Sequence, residues 1–351
     1  MTYETPLADL AQGVAIDEDR ANGTADAAFA RTPAWHTLGT VTPGLMSVEQ
    51  GLELALNWEV EQVPITVPYI TSTGVTTLET RNKANVRVNP FTQQPEVLGV
   101  VGPTVGNLSH KELGDWGHDI IGEQNGSRLA SLGAFDGGRK VFMSLELPQG
   151  IKVGGEDAVG LYLSLLDFHD GMGSLTGVIT AIRSECRNTV AAGIGTAQTR
   201  IKIRHTSGMR DRMAEARHLL GVSVKYIEEF EQIGNALLAK KTTNQIFEDM
   251  VKNVFGDKPT GTSTGQKRAI TQWENRFELL QTIKMSDAEA FGRNTAYGDW
   301  NTVTDYLNFG RPVRLPKGAS DSEKQIARAE AIVMGDTDNV AKKALRFLQK
   351  V

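Results

Sequence analysis

Two turn signals divide the middle of this chain into alternating apolar runs, and they restrict the folds open to it. Asp136-Gly137-Gly138 separates RLASLGAF from RKVFMSLEL, and His169-Asp170-Gly171-Met172-Gly173 separates LYLSLLDF from SLTGVITAI. Glycine accepts the positive φ of tight hairpin turns without steric cost. The gaps are too short for the crossover that parallel neighbours require. Antiparallel hairpins are therefore expected across residues 128–182. A further run, TRIKIRH, has period two, with Ile201 and Ile203 on one face and Arg200, Lys202 and Arg204 on the other.

The flanking segments extend this pattern. WEVEQVPITVPYI is rich in β-branched residues, but Pro64 and Pro68 confine it to an edge or a broken strand. Ser47 with Gln50, and Ser109 with Glu112, have the spacing of capping boxes and predict helices over 47–57 and 109–121. The ECRNTVAAGI segment is expected as a short helix or turn. After His205 the apolar spacing becomes helical. A long helix or helix pair is expected over 209–240, and shorter helices over 244–254, 266–283, 295–309, 322–334 and 339–349. Strands first and helices second give an α+β expectation, with a mostly antiparallel sheet in the N-terminal two thirds and a helical C-terminal third. The expected divisions are a flexible acidic lead over 1–28, a sheet core over 29–207 and a helical region over 208–351.

The composition excludes several classes. One cysteine in 351 residues leaves no intramolecular disulfide framework and no multi-thiolate zinc site. No apolar run reaches the roughly 18 residues of a membrane span, and the first residues lack the pattern of a secretory signal. A cytoplasmic protein with no cofactor is expected. Residues 1–30 hold six acids against one base, whereas residues 183–217 hold eight bases against three acids. That asymmetry suits an anionic partner for the basic segment.

Candidate chemistry is sparse. Gly256 and Gly261 have P-loop spacing, but Thr262 stands where the lysine must be. Gly171, Gly173 and Gly177 are spaced one residue too widely for a dinucleotide fingerprint. Cys186 could pair with His169 or His205 as an activated nucleophile beside Arg183 and Arg187, though a lone cysteine more often behaves as a small buried hydrophobe. His169 and Asp170 fall at a turn, where turn chemistry alone explains Asp-Gly. With His36 and His205 they form a weak metal set without a close ligand pair, so no metal is expected. The basic set is the strongest signal. Arg200, Lys202 and Arg204 recur about 6–7 Å apart along one strand face, near the phosphate spacing of an extended single strand. Arg183, Arg187, Arg210, Arg212 and Arg217 extend the set, and Trp35, Trp58 and Phe168 are the candidates for stacking on bases.

Several blocks taken in order carry a family resemblance. They are Ala34-Trp35-His36-Thr37-Leu38-Gly39-Thr40, Leu98-Gly99-Val100-Val101-Gly102, and Ala130-Ser131-Leu132-Gly133 with Gly137-Gly138-Arg139. They continue through His169-Asp170-Gly171, the segment from Arg183 to Cys186-Arg187-Asn188-Thr189, and Ile203-Arg204-His205-Thr206. The last are Asn294-Thr295-Ala296-Tyr297-Gly298 and Thr302-Val303-Thr304-Asp305-Tyr306-Leu307. Over residues 29–309 the chain resembles the phage/plasmid-like proteins grouped as domain of unknown function 932. Ser184-Glu185 and Arg187 depart from the family pattern, which is apolar at the first two positions and Gln at the third. The resemblance implies a mobile element in a bacterial host and no established reaction. The expected function is single-stranded DNA binding or annealing without turnover, by a homo-oligomer. The rival readings are a hydrolase or nuclease using His169, Asp170 and His205, and a protein that docks on a host factor.

Overall fold

Both turn signals make hairpins. The computed structural model describes residues 18–19, 24–31, 39–121, 128–148, 150–183, 189–190, 200–220, 223–312 and 338–351. In chain order the strands begin with β1 (Glu18–Asp19), β2 (Thr24–Ala25), β3 (Ala27–Ala30) and β4 (Thr40–Thr42). Helix α1 (Val48–Leu54) is followed by β5 (Glu61–Thr71), β6 (Gly74–Val88), β7 (Pro95–Val101) and α2 (His110–Ile121). The central strands are β8 (Leu129–Phe135), β9 (Lys140–Glu146), β10 (Ile151–Val153), β11 (Asp157–Phe168), β12 (Leu175–Arg183), β13 (Thr189–Val190) and β14 (Arg200–Ile203). The helices α3 (Met209–Leu220), α4 (Ser223–Ala239), α5 (Asn244–Phe255), α6 (Thr264–Lys284), α7 (Ala296–Asp305) and α8 (Asp338–Leu348) follow. The fold is α+β, with strands mostly in the N-terminal part and helices in the C-terminal part.

The main sheet has the order β13-β12-β11-β9-β8-β3-β4, with β10 also on β11 and β14 also on β12. Its pairings are antiparallel except β3 with β4, which is parallel. A separate antiparallel sheet has the order β5-β6-β7. Both expected capping boxes form: Ser47 Oγ accepts from Gln50 N–H at the start of α1, and Ser109 Oγ accepts from Glu112 N–H at the start of α2. Two expectations need correction. Ala27 and Ala28 are fully buried in β3, so the core reaches into the stretch read as a flexible lead. Thr189 and Val190, read as helix or turn, pair with β12. The helix expected over 322–334 lies outside the described residues.

One face of the sheet is covered by α2. Leu161, Leu163 and Leu165 of β11 are each buried, and a Cβ on Gly117 of α2 would lie 2.8 Å from Leu145 and 2.9 Å from Leu165. Each such side chain withdrawn from water contributes about 1.5–3 kcal/mol. The helices gather on the other end of β11. Every residue of α7 is buried, and Tyr297 donates its hydroxyl to Asp157 Oδ2 at 2.8 Å. Among the described residues, no helix is long and apolar enough to cross a membrane.

Candidate functional site

The site forms at the C-terminal end of β11, away from the helical body. Alternation along β11 puts Asp167 on the same face as Leu163 and Leu165, under the beginning of α2. The first residue of α2 is His110, whose ring reaches that spot. On β14, Leu175 pairs with Ile203, so the chain beyond Ile203 runs beside the 169–174 turn. Ile201 and Ile203 point inward, and His205 continues their parity.

Four ionisable side chains meet there. His205 Nε2 lies 2.5 Å from Asp167 Oδ1, and His169 Nδ1 lies 4.0 Å from Asp167 Oδ2. His169 Nε2 faces His110 Nε2 at 3.4 Å, and His110 Nδ1 meets the Leu56 carbonyl at 3.1 Å. That last contact makes Nδ1 the protonated nitrogen of His110, because a carbonyl can only accept. Burial lowers both His110 and His169, the latter to about 4, so both are neutral imidazoles near pH 7. His205 goes the other way. Burial alone would lower it, but the hydrogen bond and charge of Asp167, with the Gly173 backbone, hold it above its ordinary value. Asp167 is correspondingly held low: His205 overcomes the effect of complete burial. The pair is an imidazolium against a carboxylate.

A second group fixes the rear of the site. Asp26 accepts from Leu56 N–H at 2.6 Å and from Trp58 Nε1–H at 2.7 Å. The first bond holds Leu56 at φ 59°, a left-handed conformation that a leucine rarely adopts. Burial raises the Asp26 carboxyl, against the opposing pull of Trp58, Leu56 and Arg87. The Trp58 ring meets His110 edge-on, with centroids 4.5 Å apart, and the Arg87 guanidinium lies 4.5 Å over the same indole. Arg87 is 2% exposed and its Nε donates to Glu96 at 2.6 Å. Asn85, two residues earlier on β6, donates to the His169 carbonyl at 2.7 Å.

In front of this group lies a cleft of about 370 Å³. His169, His205, Phe168, Arg204, Asn107, Val100 and Met172 are among the residues that line it. The Gly106 N–H donates to the His205 carbonyl at 3.0 Å and closes one wall.

The candidates read from sequence are distributed unevenly here. His169 and His205 come together around Asp167, with His169 at the expected turn and 2% exposed. Asp170 does serve the turn: its Oδ1 accepts from Met172 N–H at 2.7 Å. Lys202 and Arg204 are exposed opposite buried Ile201 and Ile203. Arg210 is engaged by Glu112 at 2.6 Å, and Arg212 donates to the Arg204 carbonyl and to Thr206. Arg183, Arg200 and Arg217 belong to β12, β14 and α3. Trp58, 8% exposed, is unavailable for stacking because it is wedged under Arg87, while Phe168, 7% exposed, lies against Gly173 and lines the cleft. Trp35, His36, Cys186 and Arg187 lie outside the described residues. Asp26, Arg87, His110 and Asp167 were missed, though period-two parity along LYLSLLDF marks Asp167 as an inward carboxylate. Among the described residues, no three His, Cys, Asp or Glu side chains are placed to hold a metal ion.

The model of the family described as Domain of unknown function (DUF932) matches residues 97–333, more than half of the chain. The chain belongs to this family. The DUF932 match includes β11, α2, β14 and the cleft residues from Val100 onward, while Asp26, Trp58, Asn85 and Arg87 precede it. No curated protein and no solved structure matches the chain.

Proposed function

We propose that this DUF932 protein binds single-stranded DNA without turnover, as a strand-holding or annealing protein of a bacterial mobile element acting in the host cytoplasm. The observation that carries the reading is the exposed basic face of β14. Lys202 and Arg204 project to solvent from a strand that, among the described residues, pairs on one side only, with β12. Phosphates set along such a strand would be met at successive outward positions while the bases stay open for pairing. The basic footprint is narrower than the sequence suggests, since Arg210 is paired with Glu112. Copies arrayed along the strand would lengthen it. The contact between His205 and Asp167 is the feature that favours a hydrolase, but the ring is already held by Asp167 and by the Gly173 backbone. That arrangement suits a fixed positive charge better than a proton carrier.

Filter binding to oligonucleotides across a salt series tests this. The intact protein should bind at low salt with a steep salt dependence. Lys202→Ala with Arg204→Ala should lower the slope by about 0.7 per lost phosphate contact. No affinity for any oligonucleotide at low salt would end the reading. A stable complex with a host protein in its place would favour the docking alternative.

A further inference from the structure

The cleft has features that binding a strand backbone along β14 does not use. Two apolar side chains stand uncovered at its margin: Met172 is 87% exposed and Val100 is 56% exposed. Isolated exposed apolar residues are ordinary, but these two flank the same concavity, whose volume of about 370 Å³ falls within the range of small-ligand sites. Val101 and Phe168 add apolar lining, alongside the polar His169, Ser174 and His205. Arg204, an exposed residue, and Asn107, whose Nδ2 is committed to the Val60 carbonyl, also line it. A cleft that joins exposed apolar side chains to a guanidinium is complementary to a ring carrying an anionic tail.

We propose that this cleft seats a single nucleotide unit, with its base between Val100 and Met172 and its phosphate toward Arg204. The inference deepens the strand-binding reading and rests on it for the choice of ligand. Methionine suits the role because its unbranched thioether packs adaptably against aromatic faces, so any of the four bases would be accepted. A strand lying along β14 would then place one base in the cleft and leave its neighbours outside. His205, held against Asp167, lines the same cleft as a charge-balanced pair, so Arg204 is the group left to meet the phosphate.

Methyl-labelled methionine gives the direct test, with the Met172 signal identified by its loss in Met172→Ala. Thymidine monophosphate, inorganic phosphate and a short oligothymidine are titrated separately into the full chain. The expected result is a saturable shift of the Met172 methyl with the mononucleotide and the oligonucleotide. Arg204→Ala should weaken the mononucleotide by about tenfold, the factor expected when a charge-assisted hydrogen bond is lost. Inorganic phosphate should bind more weakly than the mononucleotide. If the oligonucleotide binds but Met172 does not move with either nucleotide ligand, the cleft inference is wrong and strand binding stands. Equal affinity for phosphate and mononucleotide also overturns it, because the site would then be a simple anion site. If the mononucleotide shifts Met172 while no oligonucleotide is retained on a filter, the cleft inference stands and strand binding fails.

Discussion

His169 is buried, neutral near pH 7 and surrounded by two other imidazoles, and this has a measurable cost in acid. Its folded value of about 4 lies below the ordinary 6.5. The unfolded chain therefore binds more protons between those values, and stability falls as pH drops through that window. The shift corresponds to roughly 3 kcal/mol, and His110 adds a loss of the same sign. Asp167, held low, loses its contribution at still lower pH, as it protonates. His205 has the opposite sign: its folded value is raised, so its contribution is complete below 6.5 and fades as pH rises through the folded value. Urea unfolding across pH should therefore show greatest stability near 6.5, with Asp167→Asn flattening the alkaline side. A second test sits at Gly99, where a Cβ would lie 2.5 Å from the Asp170 backbone. Gly99→Ala should destabilise by about 1–3 kcal/mol, as overpacking does, and should disturb the His169 turn, seen as a changed His169 ring signal. Part of this site was legible. The parity that sends Lys202 and Arg204 outward sends His205 inward, and the leucines of β11 do the same for Asp167. Arg87 was not legible, because no local pattern announces that a distant tryptophan and a glycine turn will cover it.

Among the elements, the helices were read best where their ends carry local chemistry. Ser47 and Ser109 cap as their spacing requires, and α6 begins with a box from Ser263 and Gln266, slightly earlier than its apolar pattern alone indicates. The short strands were not readable. AAFA in β3 has no signature of its own and becomes a strand by pairing with β8, about a hundred residues away in sequence. The charge inside the helical body was equally hidden. Lys284, at the end of α6, is 6% exposed, is paired with Asp299 of α7 and lies 4.5 Å over the Phe247 ring of α5. Burial raises the Asp299 carboxyl despite that partner. Removing one charge strands the other in a dry interior. Lys284→Ala should thus cost about 3–5 kcal/mol, while the double change Lys284→Met with Asp299→Leu should cost less. Denaturant unfolding of the two variants reads the difference directly.

At the scale of the molecule, the order of strands before helices predicted the α+β layout, and the hairpins set most of the sheet. What it could not reveal is the relation between the two ends of β11, one tied to α7 through Asp157 and the other carrying Asp167. Nor does it show that β5 and β6 leave the body together. From Thr66 to Asn82 the residues are exposed apart from Thr71, and Tyr69, Ile70 and Val75 stand uncovered near the turn. A six-residue Gly/Ser insertion between Ser72 and Thr73 should change stability by no more than about 0.5 kcal/mol, as exposed tips permit; a thermal melt checks it. Strand β6 runs from that turn to Asn85 and Arg87, with an irregularity in its pairing opposite Pro64–Thr66, a reach of at most about 36 Å at strand rise. The ribbon is therefore a lever arm. A bead, surface or labelled probe attached at its tip would transmit a pull along one strand to the hydrogen bond between Asn85 and the His169 carbonyl, entering the cleft without first passing through the helices.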